Sequence, residues 1–324
     1  MQRSLKILVV RFSSIGDIVL TSPVFRCLKS QLNSEVHFLT KSKYECILRN
    51  NIFIDRIHTI DDSINDVIED LKSENYDYVI DLHNNIRSYQ LRSLGVKTFK
   101  VCKESFKKLI YIKFGINLLS NDHVVDRYMK TIEALSVKND NKGLEYFLDR
   151  DVEVSFDVDQ KYLIWCIGAS FNNKKIGIKQ ISEACSKVNL PVVLIGGSED
   201  SISANNIIES SSNNKITNFC GLLSLDESAF LIKKSSLVIS NDTGPMHIAA
   251  AFKKQIISLW GCTKPSLGFY PYMTNSDSIM IVSEKSKRPC SKHGSYCRYN
   301  SKRCINYISS KEISEAISDL IFVE

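Results

Sequence analysis

Short apolar runs recur along the chain, each followed by a polar turn and then by a stretch with helical periodicity. Residues 6–12, 36–40, 56–60 and 78–82 read as strands, and residues 44–49 and 64–74 read as helices between them. A further helix is predicted over 18–32, interrupted only near its start by Pro23. The alternation resumes with strands at 162–167, 192–195, 237–239 and 256–260, and ends in a helix over 312–322. Strands alternating with helices predict an α/β fold with parallel sheets. Between the two sets, residues 139–160 lose periodicity and gain acids, which reads as a linker. The chain therefore divides into domains 1–155 and 156–324, with the terminal helix free to cross back to the first.

Open α/β sheets bind ligands at the carboxyl ends of their strands, so the turns after each strand hold the candidate chemistry. After 237–239 come Asn241, Asp242, Thr243, Gly244 and Pro245, with His247 one turn into the next helix. The first-turn N–H groups and the helix dipole suit a phosphate there, and an ordinary capped turn with no ligand fits the same residues. Ser170 and Lys174 follow the strand at 162–167, the ammonium offering a point charge for a phosphate. Glu199, in the glycine turn after 192–195, can accept from ribose hydroxyls. In the first half, Ser14, Gly16 and Asp17 follow the first strand, His83 and Arg87 follow the strand at 78–82, and Arg127 projects from a helix over 123–135. Capping and solvation explain His83 and Arg87 equally well. The dinucleotide fingerprint G-x-G-x-x-G and the P-loop are both absent. Asp149 with Asp151 and Asp157 with Asp159 lie in a polar connection and read as solvation rather than metal ligation.

At 324 residues and 44% hydrophobic, the chain has room for two cores. No apolar run is long enough to span a bilayer, so a cytoplasmic location is expected. The net charge of +6, from 42 basic and 36 acidic residues, is too mild for a nucleic-acid partner. Locally, Lys100, Lys103, Lys107, Lys108 and Lys113 surround Phe106, Leu109, Ile110, Tyr111 and Phe114. Such a stretch suits the anionic inner face of a membrane, or a solvated face whose apolar side packs inward. The ten cysteines are mostly dispersed in apolar runs and imply no disulfide scaffold. Cys290, Cys297 and Cys304, with His293 among them, differ. A Cys3His zinc site, a disulfide and unlinked thiols all fit that spacing, and unlinked thiols in a basic loop with no metal are the expectation.

The run Asp242-Thr243-Gly244-Pro245-Met246-His247, followed by Ala249-Ala250-Ala251, resembles the D-T-G-x-x-H donor signature of the ADP-heptose:lipopolysaccharide heptosyltransferases. Ser13-Ser14-Ile15-Gly16-Asp17 is similar to that family's N-terminal S-S-x-G-D. Asp81-Leu82-His83 with Arg87, His123 to Tyr128, Gly168-Ala169-Ser170 with Lys174, and Gly196 to Asp200 follow in family order. The resemblance implies the GT-B fold, two Rossmann-like domains facing across a cleft. It also implies inverting, metal-independent transfer of a sugar, heptose from ADP-heptose, to a lipopolysaccharide-core or lipid A precursor hydroxyl, with no cofactor. On it, Asp17 is the general base, with a helix cap as the alternative role. Ser170, Lys174, Glu199, Asp242, Thr243, Gly244 and His247 would bind donor, and Ser14, Gly16, His83, Arg87 and Arg127 would bind acceptor. The chain departs at Ile176, where the family usually has an aromatic residue. A nucleotide-sugar epimerase of the same fold and a non-catalytic sugar-nucleotide-binding protein are the competing functions.

Overall fold

The computed structural model describes residues 3–299 and 302–321, so the last residue expected in the terminal helix, Phe322, lies outside the described residues. The chain forms two compact units, Met1–Lys103 with Asp122–Asp149, and Glu104–Asn121 with Arg150–Glu324.

The first unit holds β1 (Lys6–Val10), α1 (Ile15–Val19), α2 (Ser22–Leu32), β2 (Glu35–Lys41), β3 (Arg56–Ile60), α3 (Ile68–Ser73), β4 (Tyr78–Asp81), α4 (Ile86–Tyr89) and β5 (Lys97–Lys100). Its strands are all parallel in the order β3-β2-β1-β4-β5. Ile7 to Val10 are fully buried, as an unbroken apolar run in a central parallel strand requires. The helix expected over 18–32 is two helices. Pro23 is tolerated only in a first turn, so α2 begins just before it, with Thr21 as its N-cap. The stretch expected as a helix at 44–49 is a 3₁₀ turn at Ser42–Ile47, and the one at 64–74 is a 3₁₀ turn at Ile64–Asp66 leading into α3.

The expected linker over 139–160 belongs in part to the first unit. Arg26 is buried, and its guanidinium donates to both carboxylate oxygens of Asp140 at 2.8 and 2.7 Å and to the Gly143 carbonyl at 2.9 Å, with Glu145 as a second counter-ion. A buried guanidinium needs such partners, so acids that read as solvent-facing are tied to the interior.

In the second unit come α5 (Ser105–Phe114), β6 (Leu163–Cys166), α7 (Ile178–Cys185), β7 (Val192–Ile195), α8 (Ser201–Ser210), β8 (Ile216–Asn218), α9 (Leu225–Lys234), β9 (Leu237–Asn241), α10 (Gly244–Ala251), β10 (Ile256–Trp260), β11 (Ile279–Val282) and α11 (Ser310–Ile321). The segment between β5 and β6 also carries α6 (Val124–Lys130), which belongs to the first unit, with a 3₁₀ turn at Glu133–Leu135 completing the helix expected over 123–135. The second sheet is parallel in the order β11-β10-β9-β6-β7-β8. Ile313, Ala316 and Ile317 of α11 share one core cluster with Ile181 and Ala184 of α7. The terminal helix thus packs on the second unit's own core. α5 is oriented against the pattern of a solvated charged face: Tyr111 and Lys108 are buried, while Phe106 and Phe114 are 74% and 69% exposed.

In each sheet the strand order reverses beside the unit's first strand, between β1 and β4 and between β6 and β9. These are the topological switch points where open α/β sheets place ligands.

Candidate active site

At the first switch point, Asp17 lies in the opening turn of α1 and Ser14 is its N-cap. One carboxylate oxygen of Asp17 accepts from the Ser14 amide at 3.2 Å and from its hydroxyl at 3.0 Å. The other pairs with the Arg11 guanidinium at 2.6 Å. Arg11 also donates to the Ser13 carbonyl at 2.7 Å and, across to the loop after β4, to the Leu82 carbonyl at 2.7 Å. It therefore fixes the two loops to each other and aims the carboxylate. Gly16 is buried in the α1 turn. The cap alternative for Asp17 is thus occupied in part, but the Arg11 pair is more than a cap needs.

His83 and Arg87 both lie on the Phe12 ring, His83 with ring centroids 4.9 Å apart and Arg87 with its guanidinium carbon 6.0 Å from the centroid. Burial, then the charges of Arg11 and Lys103, push the His83 imidazole down to about 3, which keeps it neutral, and its Nδ1 is buried without a hydrogen-bond partner among the described residues. Asp81 shapes this loop by accepting from the His83 and Asn84 amides and the Ser88 hydroxyl at 3.0, 2.6 and 2.7 Å. Arg127 corrects an expectation. Its side chain is buried and donates to the Asp122 carbonyl at 3.2 Å, because it lies on the inward face of α6 beside the fully buried Tyr128. Arg11 stacks on that Tyr128 ring at 5.9 Å.

The second unit repeats the design with opposite charge. Lys174, in the loop after β6, donates to the Asp242 carboxylate at 2.7 Å and to the Asp242 carbonyl at 2.7 Å, joining the β6 loop to the turn after β9. Asn241 adds a second tie, its amide donating to the Cys166 and Ile167 carbonyls at 3.4 and 3.3 Å. Thr243 is the N-cap of α10, yet its hydroxyl lies 3.3 Å from the Asn241 carbonyl and makes no cap bond. The first N–H groups of α10 therefore have no side-chain cap from Thr243. Gly244 begins the helix, Pro245 follows, and His247 is buried one turn in.

Ser170 and Glu199 are exposed on their own loops, whereas the neighbouring Asp200 is buried. Asp200 accepts from Lys175 at 2.5 Å and from the Gly197 amide at 3.0 Å. It fills the gap between the β6 and β7 loops so closely that a Cβ at Gly168 or Gly196 would come within 2.7 or 2.8 Å of its carboxylate. Arg11, Asn241 and the Lys175–Asp200 pair hold both sites in shape, and of these the sequence points only to Asn241, for turn chemistry. Asp200 stands inside a quoted motif and Arg11 two residues before one, so adjacency to a candidate was the available signal.

Residues 64–299 match the family model described as Glycosyltransferase family 9 (heptosyltransferase). The lipopolysaccharide heptosyltransferase 1 of Campylobacter coli is 26% identical over 98% of this chain and 99% of its own. Among solved structures, the glycosyl transferase family 9 protein of Veillonella parvula superposes with a TM-score of 0.81 at 20% identity, covering 100% of this chain and 99% of that one. The E. coli heptosyltransferase WaaC with ADP gives 0.68 at 16%, covering 97% and 99%. The fold is the GT-B type that the resemblance implied, with two Rossmann-like units. The family match covers well over half of the chain, and the chain belongs to glycosyltransferase family 9, the heptosyltransferases.

Proposed function

We propose that this enzyme transfers a heptosyl unit, with inversion and without a catalytic metal, from ADP-heptose to a hydroxyl of a lipopolysaccharide-core or lipid A precursor acceptor. Family membership favours the transferase over the epimerase and the non-catalytic binding protein. The observation that carries the donor half is the Lys174–Asp242 pair at the uncapped start of α10, at the second switch point. In this reading the departing diphosphate is held by the α10 N–H groups around Thr243 and Gly244, with Lys174 swinging from Asp242 to a phosphate oxygen. Ser170, Glu199 and His247 complete the donor contacts. Asp17 takes the proton of the acceptor hydroxyl. Ser14, Gly16, His83 and Arg87 position the acceptor, and Arg127 supports them from the interior. The curated relative's name specifies lipopolysaccharide and the WaaC structure holds ADP, which supports the choice of substrates.

A panel of nucleoside diphosphates in a thermal-shift assay tests the donor. ADP at about 100 times its dissociation constant should stabilise the protein by about 2.7 kcal/mol. A shift with UDP or GDP and none with ADP would overturn the assignment.

A lipid-borne acceptor calls for a surface that meets the membrane, and the exposed Phe106, Leu109 and Phe114, flanked by Lys107 and Lys113, supply one of suitable chemistry. Among the described residues no helix is long and apolar enough to cross a membrane. The enzyme should sediment with vesicles containing anionic phosphatidylglycerol and less with neutral ones, and Phe106→Ser with Phe114→Ser should release it. Equal binding of the double variant would rule out this face.

A further inference from the structure

Four cysteines, three spaced by seven residues and the fourth 28 residues earlier, converge in the second unit. Cys290, Cys297 and Cys304 bring their sulfurs within 4.8 Å of one another, and Cys262, from the loop after β10, joins them in one buried cluster. His293, the fourth ligand that spacing alone suggested, is not in the group, and the Cys262 sulfur adjoins the three from outside that 4.8 Å set. The Cys290 and Cys304 sulfurs are 3.8 Å apart and those of Cys297 and Cys304 are 3.5 Å apart. A tetrahedral ion with metal–sulfur bonds of about 2.3 Å sets its sulfurs about 3.8 Å apart, whereas a disulfide needs about 2.05 Å.

The surroundings fit an anionic centre. The Cys304 amide donates to the Cys297 sulfur at 3.4 Å. Lys264, two residues after Cys262, is buried, and its ammonium donates to the Ser283 carbonyl at 2.6 Å. Arg298 and Lys302 add positive charge to the same segment.

We infer that Cys262, Cys290, Cys297 and Cys304 bind one structural metal ion through four sulfurs, the ion being zinc or iron. Both are taken by a tetrahedral all-sulfur site. Each thiol gives up its proton as its metal–sulfur bond forms. The expectation of unlinked thiols and no metal is revised accordingly.

The centre braces the proposed donor loop. Asn173 is held against the cysteine loop, its side-chain amide donating to the Gly294 carbonyl at 3.0 Å. Arg303 donates to the Asn172 carbonyl. Gly294 has a φ of +88°, and a Cβ there would come within 2.8 Å of the Lys174 stem, so only glycine lets the cysteine loop lie against that lysine. The metal would fix the loop that carries Lys174. That consequence rests on the donor reading, while the metal itself does not.

The test is elemental analysis of the full chain purified under reducing conditions without chelator, with zinc and iron counted separately. About one ion of zinc or of iron per chain is expected. Cys262→Ser and Cys297→Ser should each lose most of it, and Cys102→Ser, an exposed cysteine outside the cluster, should keep it. Less than about a tenth of an ion of any metal per wild-type chain would overturn the site, as would an intact mass about 2 Da light, the mark of a disulfide. Full metal content in Cys262→Ser would overturn the fourth ligand. Should the variants not fold, the wild-type ion can be released by a thiol reagent and captured by a coloured chelator, and release without thiol modification would overturn sulfur ligation. Loss of metal with unchanged ADP affinity would remove the bracing role alone, since about tenfold weaker ADP binding is expected.

Discussion

Asp17→Asn should lower turnover at least about 100-fold while leaving ADP affinity at the wild-type value. The proton of the acceptor hydroxyl must leave as the anomeric carbon is attacked, and a positioned base contributes about 10²–10⁴-fold. The amide keeps an oxygen for the Ser14 amide and hydroxyl, so the turn before α1 retains its cap. It cannot replace the charge that faces Arg11 at 2.6 Å, and Arg11 is largely enclosed. Removing one partner of such a pair costs stability, so a melting temperature a few degrees below wild type is expected. The two effects separate cleanly. If Asp17 is only a cap and an ion-pair partner, activity per folded molecule will stay near wild type and only the melting temperature will fall.

Lys174→Ala should weaken ADP binding by about 10- to 100-fold, the worth of one charge-assisted hydrogen bond to a phosphate. The loss should be partly recovered by adding Asp242→Asn. Lys174 neutralises the Asp242 carboxylate at 2.7 Å, so its removal leaves an anion beside the proposed diphosphate site as well as deleting a donor. A double-mutant cycle measures that coupling, because the two residues are in direct contact. ADP affinity unchanged in Lys174→Ala would remove this lysine from the donor site. Full additivity would mean that the pair does not act as one unit.

The strands were legible wherever an apolar run crosses the centre of a sheet, as in β1, β4, β6, β7, β9 and β10, since burial on both faces leaves no polar alternation. The edge strands β5, β8 and β11 were not singled out. They are short and half-buried, β5 and β8 with polar residues within them, and β11 is only the four-residue run Ile279–Val282. Residues that make charged contacts across long sequence separations were also opaque. Asp140 looks solvated until Arg26 is placed beside it, and Arg127 looks projecting until α6 is rotated inward. Cys262 stood apart from the other three cysteines because only the strand order returns its loop to them. The candidate site residues themselves were visible because a strand end followed by Ser, Asp, Gly or Lys is a local signal. Their ties to Arg11, Asn241 and Asp200 are not local.

The central claim is tested most directly by incubating the wild-type enzyme with ADP-heptose and a lipid acceptor bearing the inner lipopolysaccharide core, then reading the acceptor's mass and the configuration of the new linkage. Addition of one heptosyl residue, with the anomeric configuration opposite to that of the donor, is the predicted result. An unchanged acceptor while ADP-heptose is epimerised or hydrolysed, or a linkage that keeps the donor's configuration, would contradict it.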